Sequence, residues 1–256
     1  MSKLIVLIRK ELLEHLRTKK ILITCVVFLF VAIASPIIAK VMPELLKSIS
    51  VPGMSISVPD TTSKDALDQF IKNISQIALL IMVFVVAGVI SDEKNKKTLE
   101  IVMTKPVSRE KFILSKFISS FLIIAVVFVA ASAIFYVYTA SVFTALNLAN
   151  FAIIVFSVLL YILMIVSVTI LASTIVKNSI VAGGVGFVGV IVFGTIFGLF
   201  EGLKQFSPSW IFSNYQLVAA NGWSSDLVYP IVINTCVISV SVIIAIMLFK
   251  RQEIDR

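Results

Sequence analysis

Glu93, Glu100 and Arg109 are the charged side chains best placed to act on another molecule, because all lie in the longest segment expected to face the cytoplasm, SDEKNKKTLEIVMTKPVSREKFILSKF, residues 91–117. A carboxylate or guanidinium there can form charge-assisted hydrogen bonds to a protein partner, roughly twice as strong as neutral ones. Covalent and metal chemistry lack their usual groups. The single histidine, His15, has no cysteine or histidine nearby and reads as a surface residue, while Cys25 and Cys236 sit in apolar runs and read as small packing residues. There is no His-Glu-x-x-His, no paired acid motif and no G-x-x-x-x-G-K-[ST], so the patterns of a zinc hydrolase and of a Walker-type ATP site are both missing. The chain reads as no enzyme, with no cofactor or metal of its own.

The elements that must position that segment are set by hydropathy. Of 256 residues 59% are hydrophobic and 14% charged, and mean hydropathy is +1.07. A soluble domain carries about 45–50% apolar and about 25% charged residues. The apolar residues fall into six blocks, 21–39, 74–90, 117–143, 151–176, 179–200 and 227–249, none containing Asp, Glu, Lys, Arg or His. Each is near the 20 residues that a helix needs to cross about 30 Å of hydrocarbon. The fold class expected is an all-α membrane protein with six transmembrane helices, at about 21–41, 70–90, 117–143, 151–176, 179–200 and 227–249. Alternating barrel strands would show polar residues at every second position.

Orientation follows from the cations. If the N-terminus is cytoplasmic, 17 of the 22 basic residues lie inside, and the outside keeps five: Lys40 at the end of the first span, and Lys47, Lys64, Lys72 and Lys204 in segments 42–73 and 201–226. The positive-inside rule then places both termini and residues 91–116 in the cytoplasm of a plasma membrane. The net charge of +8 is thus a topological signal set against acidic headgroups, and nucleic acid is not an expected partner. Ala32-Ile33-Ala34 looks like a signal-peptidase site, but the 20 residues before the first block include Glu11 and Glu14, so the block reads as a retained span.

Along residues 1–20, Leu4, Ile5, Ile8, Leu12 and Leu16 share an arc opposite Lys3, Lys10, Glu14 and Arg17, which predicts an amphipathic helix in the cytoplasmic interface. Residues 42–73 are punctuated by Pro43, Pro52, Gly53 and Pro59 and read as irregular until Thr62 or Ser63 caps a short helix leading into span two. Spans three and four meet through residues 144–150, a tight hairpin. In span five Gly184, Gly186 and Gly189 spell G-x-G-x-x-G, but no strand precedes them and the flanks are membrane-length apolar sequence. Close helix or subunit packing through Gly186, Gly194, Gly198 and Gly202 is the expected use. Residues 201–226 hold both tryptophans and predict short helices in the outer leaflet.

In the 91–117 segment Glu93, Lys96, Lys97 and Glu100 are expected to be exposed while Leu99, Val102 and Met103 pack inward. Pro106 stops this helix, and Ser108 caps the next. The run Glu93, Thr98-Leu99-Glu100, Pro106-Val107-Ser108-Arg109 and Lys116 resembles the motif between spans two and three of ABC type-2 exporter permeases. The likeness extends to the amphipathic N-terminal helix, the six spans and a short basic tail. Where that family usually has Gly before Thr-Leu-Glu, this chain has Lys97.

The resemblance implies a coupling helix seated in a groove of a separate ABC ATPase subunit. Glu93, Thr98, Leu99, Glu100, Pro106, Ser108 and Arg109 would make or support the contact. It implies two ATPase copies carrying ATP and magnesium, a second permease subunit as homodimer or heterodimer, and the lipid bilayer as surroundings. Within the family the nearest likeness is to small bacterial permeases that export amphipathic cytolytic peptides, such as phenol-soluble modulins. An ion-coupled porter or channel without an ATPase is the alternative on the residues alone, although no span carries the carboxylate or histidine of a proton relay.

Overall fold

The computed structural model describes residues 3–48, 61–104 and 107–252. Those residues are helical or in short connections, with no strand among them. The helices are α1 (Lys3–Arg17), α2 (Lys20–Ser48), α3 (Ser63–Asn73), α4 (Leu79–Asn95), α5 (Thr98–Met103), α6 (Arg109–Val142), α7 (Leu148–Ile175), α8 (Ser179–Thr195), α9 (Trp210–Asn221) and α10 (Val228–Arg251). One π-helical turn, Ile74–Ala78, joins α3 to α4 without a break in the rod.

Five stretches are long and apolar enough to cross a membrane: Lys20–Pro43, Ser63–Asn95, Arg109–Val142, Leu148–Ile175 and Ser225–Arg251. The fifth block of the sequence, expected to span 179–200, forms instead a shorter apolar helix, α8, that passes into a 3-10 turn at Ile196–Leu199. A local clasp sits at its end. The hydroxyls of Ser207 and Ser209 both donate to the Gly194 carbonyl, at 2.7 and 2.6 Å. The hairpin of residues 144–150 is seen, closed by the Tyr136 hydroxyl on the Leu146 carbonyl at 3.1 Å. Residues 49–60 lie outside the described residues, and the irregular stretch expected from residue 42 is partly helical. Helix α2 runs through Pro36 and Pro43 to Ser48, although each proline lacks the amide hydrogen that would bond the carbonyl four residues before it.

Helix starts follow side-chain chemistry. Ser108 accepts from the Lys111 amide at 3.4 Å, and Asn147 and Asn178 cap α7 and α8 at 3.0 and 2.8 Å. At α3 the Asp65 carboxylate reaches back to the Thr62 amide at 2.7 Å. The bundle is centred on α7, against which α4, α6, α8, α9 and α10 pack, while α2 lies on α3 and α6. Aromatic pairs tie neighbours together: Phe28 with Phe128, Phe70 stacked on Phe135 at 4.2 Å, and Phe112 on Phe249 at 5.2 Å. Leu22, Val26 and Phe30 of α2, Ile180 and Val188 of α8, and Val232 and Ile243 of α10 are exposed, an apolar belt of the kind that lipid covers.

Side-chain bonds fix which helix ends share a side. Lys94 at the end of α4 and Gln252 after α10 both donate to the Thr174 carbonyl at the end of α7, the latter at 2.8 Å. Arg109, which opens α6, donates to the carbonyls of Phe249, Lys250 and Gln252 at 3.2, 2.7 and 2.9 Å. Lys20 at the start of α2 lies 3.6 Å from Asp92 of α4. Residues 3–20, 91–104, 107–116, 174–179 and 249–252 therefore meet at one basic end of the bundle. At the other end Tyr215 of α9 donates to Asp68 of α3, and Asn150 donates to the Ala219 carbonyl at 3.0 Å.

Candidate functional site

The basic end carries two features side by side, an exposed short helix and a buried charged cluster. The exposed helix is α5. Helix α4 stops at Asn95, Lys97 turns the chain in the left-handed region (φ 55°, ψ 13°), and six residues of helix follow. Left-handed backbone costs an L-residue about 1–2 kcal/mol and glycine almost nothing, which accounts for the glycine usual here in the family that this motif resembles. Lys97→Gly is expected to raise stability by about 0.5–1 kcal/mol net of glycine's greater unfolded-state freedom. Thermal unfolding in detergent reads this, and an unchanged or lower midpoint contradicts it.

The seven residues singled out in the sequence part company here. Glu100 is exposed on α5, Leu99 is buried in the core, and the Thr98 hydroxyl donates to the Glu93 carbonyl at 3.3 Å. Ser108 is exposed and caps α6. Pro106 lies outside the described residues. Arg109 spans to the end of α10 as described, so its guanidinium is engaged within the chain. Glu93, expected to be exposed, is 7% exposed and turned inward, because two ammonium groups draw its carboxylate under α1.

Those ammoniums belong to Lys116 and Lys10. Lys116, two turns into α6, is 1% exposed and pairs with Glu11 of α1 and Glu93 of α4, each at 2.9 Å. Its Nζ also stands 5.0 Å from the centre of the Phe112 ring. Lys10 meets Glu11, Glu14 and Glu93 at 3.0, 3.0 and 3.2 Å. Burial works against the Lys10 charge, yet Glu11 and Glu93 outweigh it and hold its pKa above the ordinary lysine range. Burial would raise the Glu14 pKa, but its bond to Lys10 holds it below the usual carboxylate value. One oxygen from each of Glu11, Glu14 and Glu93 lies within 4.8 Å of the others, a spacing that suits a cation. The two lysines already supply that charge.

His15 lies beside this cluster and is 7% exposed, where the sequence suggested a surface residue. Its Nε2 and the Glu93 Oε2 are buried without a hydrogen-bond partner. Burial first, then the Lys20 and Lys116 charges, push the imidazole down to about 4. A cavity of about 480 Å³ opens next to it, lined by Glu14, His15 and Thr18 of the N-terminal segment and by Asp92, Glu93 and Thr98. The signal was present in the sequence. Leu4, Ile8, Glu11 and His15 fall on one helical face, so the face that packs on the bundle carries two titratable groups. The opposite face leaves Ile5, Val6, Leu13 and Leu16 exposed, so only part of the expected apolar arc turns inward.

Two glycines of α8 sit where a side chain would crowd α7. A Cβ on Gly186 would lie 3.3 Å from the Thr169 side chain, and one on Gly194 would lie 2.9 Å from the Tyr161 hydroxyl, both on α7. Gly202 has open space around it, and Gly198 lies in the 3-10 turn.

Comparison with known proteins fits this architecture. An uncharacterized transmembrane protein of Bacillus subtilis (strain 168), YxlG, is 24% identical over 140 residues, 54% of each chain. The chain spans about half the length of that relative. Residues 5–254 match the family model described as ABC-2 family transporter protein. With five helices of membrane-crossing length and this match over nearly its whole sequence, the chain belongs to the ABC-2 family of membrane transport proteins.

Proposed function

We propose that this chain is the permease subunit of an ATP-driven exporter, with α5 as the coupling helix for a separate ATPase subunit. One observation carries this reading. Helix α5 is a six-residue helix that follows the end of α4 after a single turn, with Glu100 exposed and Leu99 anchored in the core, so a push on it reaches a membrane-length helix directly. Two ATPase copies carrying ATP and magnesium would serve two permease chains, identical or related, in a bacterial plasma membrane. The other described residues of the coupling set then have supporting parts: Thr98 and Glu93 hold the turn, and Ser108 and Arg109 set the entry into α6.

Six crossings with both termini cytoplasmic fit the geometry, because α10 ends beside the end of α7. The chain between residues 179 and 228 must then travel to the far end, and α8 is the element that takes it there. The cargo we favour is amphipathic or hydrophobic, a toxin-like or antimicrobial peptide among the candidates, since the apolar spans offer no charged residue to bind a strongly polar one.

Glu100→Ala is expected to leave folding and insertion intact and to weaken ATPase binding by about 3 kcal/mol, over a hundredfold, through a lost charge-assisted contact at a buried interface. Pull-down of a co-expressed ABC ATPase and ATP-driven transport in reconstituted membranes are the measurements, with Lys64→Ala at the opposite end as control. Wild-type binding by Glu100→Ala would remove α5 as the docking point. Transport by the purified chain without ATP or any ATPase would overturn the permease reading itself.

A further inference from the structure

We propose that Lys116 is a positioning residue that makes α1 and the α4–α5 segment move as one body. Its single ammonium, 1% exposed, is shared by Glu11 of α1 and Glu93 of α4 at equal distances of 2.9 Å. Lys10 braces the same two carboxylates from the α1 side. Three helices thus converge on one buried charge. Pulling any of them away leaves a largely buried ion without its partner, and that penalty forces the helices to travel together.

The carboxylate of Glu93 is bonded unevenly, and this matters for motion. Its Oε1 takes both ammoniums while its buried Oε2 has no partner, so the group can rotate or exchange one lysine for another without leaving the cluster. The clamp can therefore swivel while remaining closed. A cavity of about 480 Å³ beside it gives α1 and α4 room to do so. Because Glu93 lies five residues before Thr98, whose hydroxyl holds its carbonyl, a displacement of α5 is delivered to Lys116 and from there to α1. Helix α1, with Ile5, Val6, Leu13 and Leu16 facing outward, would in this way act on the surface it lies against whenever α5 moves.

The consequence for α5 rests on the permease reading, whereas the clamp itself does not, and the test separates them. Spin labels on Arg9→Cys and Lys96→Cys, both exposed positions, in a Cys25→Ala, Cys236→Ala background report the α1–α4 distance in the isolated chain. The Glu11→Gln, Glu93→Gln, Lys116→Met variant replaces the charges without orphaning any of the three. Its distance distribution is expected to be at least about twofold broader than that of the labelled parent; an equally narrow one overturns the proposal. Should that variant not fold, Glu11→Gln alone, which keeps the Lys116–Glu93 pair, is read in the same way.

A second label pair on Lys64→Cys and Arg9→Cys is then followed with the ATPase bound and ATP–magnesium added, beside a Lys64→Cys, Lys96→Cys pair. Both pairs should shift in the parent, and only the Lys96 pair in the neutral variant. If Arg9 follows Lys96 in both proteins, the charge cluster is not the link. If the parent binds no ATPase at all, the permease reading fails, and the isolated-chain distribution still decides the clamp.

Discussion

Lys116→Met is expected to destabilise the folded protein by about 3–5 kcal/mol, the cost of removing one member of a buried ion cluster. Methionine fills the space of the lysine stem, so little of the loss comes from packing. The loss is electrostatic: Glu11 and Glu93, both under 10% exposed, face each other with only Lys10 between them, and Lys10 itself is half in solvent. The thermal midpoint in detergent should fall by roughly 10 °C on the usual scaling of a few degrees per kcal/mol. Adding Glu11→Gln and Glu93→Gln should recover most of it, because a neutral cluster has no ion to desolvate. A single Lys116→Met variant as stable as the parent would mean that the carboxylates reach water in the folded state.

Stability should also fall as pH is lowered through the range in which a free histidine titrates. His15 is held at about 4 against an ordinary value of 6.5, first by burial and then by Lys20 and Lys116. The groups facing it are Lys10 and Glu14 on α1, Lys20 on α2, Lys116 on α6, and Asp92 and Glu93 on α4, which line the adjoining cavity. Below pH 6.5 the unfolded chain binds a proton that the folded chain refuses until about pH 4. Folding stability therefore decreases across that window, by about 2 kcal/mol between pH 7.5 and 5. Glu14 acts only lower down, since its depressed pKa sustains stability until the pH drops below the carboxylate range. Unfolding midpoints at pH 7.5 and 5 should thus converge in His15→Phe, whose ring fits against the neighbouring Ile21, Val85 and Ile124. Parallel pH dependence in parent and variant would show that His15 is protonated freely in the folded protein.

Much of the bundle is legible in the sequence because bilayer-length apolar runs have no alternative use. Helices α2, α4 with the π-helical turn before it, α6, α7 and α10 cover the blocks drawn from hydropathy to within a residue at their ends, and the sequence also marks Ser108, two residues after Pro106, as a cap. The end of α8 is not legible, since the apolar run continues to Phe200 and the helix changes character where Ser207 and Ser209 reach back to Gly194. The charged cluster is hidden for another reason. Glu11 and Lys116 are 105 residues apart, and neither stands out in a segment of ordinary basic character. Reading charges as topological markers explains which side they occupy but not which of them pair. Arg109 shows the same limit, because its partners are three backbone carbonyls about 140 residues away that no side-chain pattern announces.

The abbreviated α8 has a consequence for the surrounding lipid. From Ser179 to Thr195 it rises about 26 Å at 1.5 Å per residue, against a hydrocarbon thickness of about 30 Å. On the six-crossing reading proposed above, the α-helical part of this crossing is too short by nearly one turn, and the Ser207–Ser209 clasp holds two hydroxyls on the Gly194 carbonyl near its end. Hydrophobic mismatch of this kind is relieved by local thinning of the leaflet. Headgroups and water would then dip toward the protein along one flank of the bundle, and an amphipathic molecule leaving there would have a shorter distance to travel through oil.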